Sequence, residues 1–253
     1  MSEFRVVGLP TSAEVEAGTD LVALVLDAAA AAGWTFADGD VLCIASKVVA
    51  KAEGATVALP AATDVHEARR ALAREQATRI VAETPQVLIV ETHHGFVCAN
   101  AGIDTSNVPG EGVALLLPDD PDASAAGLRE GLHERTGASV GVIVTDTFGR
   151  PWRLGQTDVA LGAAGVVALR DDRGGADRLG RPLEVTQVAV ADQLAAAADL
   201  VRGKADGTPF VVLRGLDLGG AGTGRDLLRP ADQDAFRTGT GAAAPEPTDH
   251  GSR

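Results

Sequence analysis

The chain has 253 residues, 45% of them hydrophobic, with a mean hydropathy of +0.10 and a net charge of −13. That is enough apolar material for one sizeable core or two small ones sharing an interface, and the acidity argues against nucleic acid, whose binding needs a basic face. No apolar run reaches bilayer-spanning length, and residues 1–20 lack a basic start followed by an apolar core, so the expected compartment is the cytoplasm, with no membrane partner.

Residues 20–32 place Leu21, Leu24, Val25 and Ala28 on one helical face, with Gly33 as the stop. Residues 40–45 form a short buried strand running into Ser46-Lys47-Val48-Val49-Ala50-Lys51. On a helix, Lys47 and Lys51 share a face, where like charges repel mildly. The chain has only three lysines against nineteen arginines. Two lysines side by side point to an anion, although a GC-rich genome that writes Arg for Lys also explains the scarcity. Residues 64–82 look helical and carry Arg69, Arg70, Arg74 and Arg79. Residues 86–90 and 96–99 read as strands joined by the turn Thr92-His93-His94-Gly95. His93 and His94 titrate near neutrality, so they suit either acid–base work or plain surface.

Residues 113–117 are a further strand, 118–122 a solvated turn, and 124–135 a helix ending at Gly137. The β-branched run Val140-Gly141-Val142-Ile143-Val144 is a buried strand that opens into a loop over 145–153. Residues 159–169 alternate Gly or Ala with Val or Leu, as tightly packed strands do. A long Ala-rich helix is expected over 184–202, a last strand over 210–213, and a disordered tail over 238–253. No linker or repeat divides the chain, so residues 1–237 are read as one domain. The irregular strand–helix alternation predicts an α+β fold with mixed and antiparallel sheets.

The richest stretch chemically is Thr145-Asp146-Thr147-Phe148-Gly149-Arg150-Pro151-Trp152-Arg153. A second of the same kind is Asn100-Ala101-Gly102-Ile103-Asp104-Thr105-Ser106-Asn107. A carboxylate beside another oxygen ligand can hold Mg²⁺ or Mn²⁺, and arginines clamp phosphate or carboxylate. The alternative is that Asp146 and Asp104 only cap turns. Other chemistries lack their motifs. There is no P-loop and no Gly-x-Ser-x-Gly elbow, and Gly220-Ala221-Gly222-Thr223-Gly224 has the wrong spacing for a dinucleotide and reads as a flexible loop. Cys43 and Cys98 sit in apolar segments as inert thiols and cannot build a zinc site. What remains is oxygen-ligand metal chemistry on phosphate.

With these segments laid out, the chain resembles the coenzyme F420-0:L-glutamate ligase family. The resemblance begins at Gly8-Leu9-Pro10-Thr11 and continues through residues 40–54, 94–107 and 145–153. It resumes at Leu169-Arg170-Asp171-Asp172-Arg173-Gly174 and over 177–186, so residues 4 to 215 are covered in the family's order. The resemblance implies the family's α+β fold, an intertwined homodimer, and GTP-dependent ligation of L-glutamate to coenzyme F420-0 through an acyl phosphate. Further γ-linked additions are part of that implication. It also implies two divalent ions, Mg²⁺ or Mn²⁺, with K⁺ as a further candidate ion.

Carried over by motif, Asp104 and Asp146 would be metal ligands and Thr147 would add a hydroxyl to a second ion. Gly8, Leu9, Pro10, Thr11, Ser46, Lys51 and Asn107 would contact GTP, with Lys47 beside the phosphates. Arg150 and Arg153 are candidate catalytic clamps for the acyl phosphate or the glutamate carboxylates. One position departs from the family: Lys204 stands where a Gln or Glu ligand is usual, and an ammonium cannot ligate a cation. Either Lys204 neutralises phosphate itself, or Asp206 supplies the ligand, or the register is shifted. Two other functions share these residues: a metal-dependent phosphohydrolase and a non-catalytic nucleotide-binding protein.

Overall fold

The computed structural model describes residues 3–60, 64–105, 112–203 and 206–236, so the tail expected from residue 238 lies outside the described residues. The elements run β1 (Arg5–Leu9), α1 (Leu21–Ala31), β2 (Val41–Ala45), α2 (Ser46–Ala52), β3 (Thr56–Ala58), α3 (Val65–Glu75), β4 (Ala77–Glu83), β5 (Leu88–Thr92) and β6 (Val97–Ala99). After these come β7 (Val113–Leu115), α4 (Pro121–Thr136), β8 (Gly141–Arg150), β9 (Arg153–Ala164), β10 (Leu169–Asp171), β11 (Gln187–Ala189), α5 (Val190–Asp199) and β12 (Phe210–Arg214). Among the described residues no helix is long and apolar enough to cross a membrane.

Five strands form the central sheet in the order β1-β12-β2-β8-β9. β2 and β8 run parallel, and the other neighbours are antiparallel. A three-stranded antiparallel sheet, β4-β5-β6, and the pairs β3–β7 and β10–β11 stand beside it. The architecture is α+β with mixed and antiparallel sheets, as the pattern of elements predicts.

β2 is apolar at every position because both faces of the central sheet are covered. Leu42, Ile44, Val142, Val144 and Val212 pack on α1 and α4 through Val25, Leu128 and Leu132. Cys43, Ile143, Val211 and Leu213 point the other way, onto Leu194 and Ala198 of α5. Each fully buried aliphatic side chain contributes roughly 1.5–3 kcal/mol, so this three-layer core holds the strand ends rigidly.

Several boundaries differ from expectation. The helix expected over 64–82 ends at Glu75, because Ala77 pairs with Thr92 and Arg79 with Glu91 in β4. Arg70 and Arg74 then both reach Glu83, at 2.7 and 2.5 Å, pinning α3 to the end of β4. The turn over 118–122 already starts α4: Asp120 caps it, accepting from Ala123 N at 3.1 Å, and Pro121 opens the first turn. β7 stops at Leu115. The helix expected over 184–202 begins only at Val190, since residues 187–189 pair with β10 as β11.

The stretch over 145–153 is no loop: β8 runs on to Arg150, turns at Pro151 and Trp152, and returns as β9. β9 ends at Ala164 rather than running to 169. The glycine run 220–224 is packed, not free. Gly222 N donates to the Val166 carbonyl at 2.9 Å, and a Cβ on Gly224 would lie 2.1 Å from the Leu161 carbonyl oxygen. These glycines let two backbones touch.

Candidate active site

The parallel pairing of β2 and β8 sets Ala45 directly opposite Thr145. The next residue on each chain segment carries chemistry: Ser46, buried at the start of α2, and Asp146 on β8. The Ser46 hydroxyl and the Thr147 N–H both donate to the Asp146 carboxylate. Burial nevertheless pushes Asp146 up to about 6, and the charges of Asp158 and Asp104 add to the rise.

Asp104 reaches this place by a strained turn. Asn100 and Ala101 take φ of 50° and 56°, a left-handed conformation that ordinary residues avoid. Asp104 is then locked to Leu115 by two backbone hydrogen bonds of 3.0 and 2.8 Å. Lys47 forms an ion pair with the Asp104 carboxylate. Lys51, one helical turn on, is partly buried and has no ion-pair partner among the described residues. Two carboxylates, one paired with Lys47 and one raised by burial, thus meet beside the end of β2, with Lys51 one helical turn further along α2.

Among the described residues no three His, Cys, Asp or Glu side chains converge as a protein-only metal cage. The donor set still fits Mg²⁺ or Mn²⁺, which are commonly held by one or two carboxylates with phosphate and water completing the shell. Asp146 carries the mark of such a site, a partly buried carboxylate whose ionised form a cation would stabilise.

Sequence reasoning missed a second cluster beside it. The Thr147 hydroxyl donates to Asp158 Oδ1 at 2.7 Å, and that of Thr145 donates to Oδ2 at 3.1 Å. Arg202 Nη1 reaches Asp158 Oδ2 and Thr145 Oγ1 at 2.6 Å each, while Nη2 donates to the carbonyls of Cys43 and Pro209 at 3.1 and 3.3 Å. Asp158 is 2% exposed. The available signal was a lone carboxylate at an inward position of an apolar strand, in Gln156-Thr157-Asp158-Val159-Ala160.

Gly8 and Thr11 lie against residues 207 and 208, while Leu9 is fully buried in the core and Pro10 is exposed. Thr11 N donates to the Gly207 carbonyl at 2.8 Å, and a Cβ on Gly8 would lie 2.7 Å from Thr208 Cγ2. Asn107 and Lys204 lie outside the described residues. Asp206 is exposed, with its side chain folded over Gly203.

Arg150 and Arg153 are not gathered with the carboxylates. They pair across the tip of the β8–β9 hairpin, and Arg150 Nη2 closes the turn on the Leu154 carbonyl at 2.7 Å. Arg150 is four residue steps along the strand from Asp146, roughly 13 Å of extended chain.

His94 is held by its neighbours: Nε2–H donates to the Pro118 carbonyl at 2.8 Å, and the Thr92 hydroxyl meets Nδ1 at 3.2 Å. Burial lowers its pKa, which favours this neutral form. With His93, Glu53, Gln76 and Asp119 it lines a separate cavity of about 280 Å³. Cys43 and Cys98 are buried and unbridged, and burial pushes both thiols up to about 12, so they are inert.

The F420-0:Gamma-glutamyl ligase family matches residues 11–215. The chain belongs to this family. Relatives named coenzyme F420:L-glutamate ligase include one from Methanothermobacter thermautotrophicus, 43% identical over 94% of this chain and 99% of its own length. Another, from Methanopyrus kandleri, is 43% identical over 92% and 97%. A third, from Halobacterium salinarum, is 45% identical over 94% and 96%. The family span takes in Asp104, Asp146, Asp158 and Arg202, so the carboxylates and the buried cluster both lie in its matched region.

Proposed function

We propose that this protein is a GTP-dependent ligase that joins L-glutamate to the terminal carboxylate of coenzyme F420-0 through an acyl phosphate, and that further γ-linked glutamates are added by the same chemistry. The observation that carries this reading is the meeting of Asp146–Ser46 and Asp104–Lys47 beside the end of β2, in a chain that matches the ligase family over 11–215. A carboxylate does not accept an amine at neutral pH until one of its oxygens becomes a leaving group. Phosphoryl transfer asks a protein mainly for positioning and charge neutralisation. Divalent ions held by Asp104 and Asp146 would supply neutralisation at the phosphates. Lys51 would add a fixed ammonium, and Ser46 orients Asp146. Gly8 to Thr11, with Asn107, would form the nucleotide wall. Lys204 would stand by the same phosphates as a cation, and K⁺ is a further candidate ion there.

Lys51→Ala is expected to raise the GTP requirement by about 1–3 kcal/mol, roughly 5- to 150-fold, through loss of charge-assisted bonds. GTP and glutamate titrations of the variant check this. Unchanged GTP affinity with collapsed glutamate affinity would refute the assignment.

The hairpin tip leaves Trp152 83% and Leu154 97% exposed, with the Phe236 ring tilted against Trp152 at 5.0 Å. An intertwined homodimer would bury this apolar surface. It would also carry Arg150 and Arg153 toward a second copy's site, where they would clamp acyl phosphate or glutamate carboxylates. Light scattering across concentrations is expected to give a dimer mass, and a monomer throughout would end that part of the reading.

Mass spectrometry of the deazaflavin after incubation with GTP, Mn²⁺ and L-glutamate tests the reaction itself. The expected product gains glutamate only when all three are present. Phosphate release without glutamate would indicate a phosphohydrolase instead, and nucleotide binding without turnover a binding protein.

A further inference from the structure

We infer that Asp158, held by Arg202, is a positioning residue that fixes Thr147 as a ligand for a cation; the inference rests on the ligase reading above. A threonine hydroxyl has one proton to donate and two lone pairs to offer. Asp158, paired with a guanidinium, is an acceptor-only carboxylate, and its Oδ1 takes the Thr147 proton at 2.7 Å. The lone pairs of Thr147 are therefore left for a cation, and its oxygen cannot donate to a phosphate or carboxylate oxygen. Free rotation would otherwise let the hydroxyl serve either partner. The Asp158 carboxylate also makes the Thr147 oxygen a better donor of electron density, as carboxylates behind metal ligands do.

Arg202 keeps Asp158 from turning away. Its contacts tie Asp158 on β9 to Thr145 on β8, to the Cys43 carbonyl of β2 and to the Pro209 carbonyl before β12. The residues after Arg202 lead into the segment on which Gly8 and Thr11 rest. One buried ion pair thus fixes the Thr147 oxygen and also holds the Pro209 carbonyl, next to Thr208 against which Gly8 packs. Arg202 Nε is the buried side-chain nitrogen left without a hydrogen-bond partner among the described residues. This fits a guanidinium chosen for the strands it joins rather than for its own saturation.

The test is Mn²⁺ binding followed by electron paramagnetic resonance and calorimetry in the presence of GDP. The proteins compared are the parent, Asp158→Asn, Thr147→Val and the double variant. Asp158→Asn is expected to weaken one ion by about 10- to 100-fold, with the other ion unchanged. Thr147→Val is expected to weaken the same ion, and the double variant no further, because Asp158 acts through Thr147. Parent-like Mn²⁺ binding by Asp158→Asn, or additive losses in the double variant, would overturn the inference while leaving the ligase reading intact. A parent protein that binds no divalent ion with GDP would overturn both. If Asp158→Asn does not fold, Asp158→Asn/Arg202→Met removes both buried charges, and the same comparison with its own Thr147→Val derivative applies.

Discussion

Asp146→Asn is expected to cut ligase turnover about a hundredfold or more, equivalent to about 2.7 kcal/mol of barrier, while leaving the fold intact. An amide is a far weaker ligand for Mg²⁺ or Mn²⁺ than a carboxylate, and Asn keeps the shape that receives the Ser46 hydroxyl. The same change is expected to stabilise the metal-free protein above pH 6. Burial raises Asp146 from its ordinary 3.8 to about 6, so its ionised form is disfavoured in the folded state. A raised carboxyl supports the fold at low pH, where it is protonated in both states. That support is lost as pH climbs from about 4 through 6, by at most about 3 kcal/mol. Thermal melts in chelator between pH 4 and 8 are expected to show this loss in the parent and not in Asp146→Asn. A bound cation reverses the logic, so metal affinity is expected to weaken as pH drops below 6 and protons compete. Near-parent turnover at saturating Mn²⁺, or identical pH–stability curves for the two proteins, would refute the role given to Asp146.

The parts of the site that sequence made legible are those written locally. Val142, Ile143 and Val144 announce a strand, although the carboxylate just past them falls inside it and not at its end, because pairing with β9 carries β8 on to Arg150. The Ser46–Lys51 segment likewise follows a strand of uninterrupted apolar residues. Illegible were features decided by distant partners. Nothing within residues 64–82 marks the break at Gln76, where neither Gly nor Pro interrupts the helical pattern. The strand after it exists because Ala77 finds Thr92 and Arg79 finds Glu91. The start of α5 was lost in the same way, since the pairing of residues 187–189 with β10 overrides local helix propensity. Asp158 and Arg202 are 44 residues apart, and although Asp158 alone carries the signal of a lone carboxylate in a strand, nothing local names Arg202 as its partner. Only the sheet order, which sets β9 beside β8 and brings the end of α5 over both, makes them partners.

Arg202→Met is expected to be the most destabilising single change in the site region, costing about 3–5 kcal/mol. Asp158 is 2% exposed, so without the guanidinium its charge is buried with only the Thr145 and Thr147 hydroxyls, among the described residues, to stabilise it. Desolvation of an unpaired carboxylate dominates that cost, and the attraction lost is the smaller part. In a protein of this size such a change lowers the melting temperature by roughly 6–20 °C. Asp158→Asn/Arg202→Met is expected to recover most of the loss, because no uncompensated charge stays behind. Some deficit is expected to persist, since the Cys43 and Pro209 carbonyls lose the donor that Arg202 gives them. That remainder is held down by the imperfect fit of the native arginine, whose Nε is buried without a partner among the described residues and already carries a desolvation cost. Urea denaturation of the parent, both single variants and the double variant closes the cycle. A loss below about 1 kcal/mol for Arg202→Met, or a double variant no more stable than the sum of the singles, would show that the pair does not hold these strand ends together.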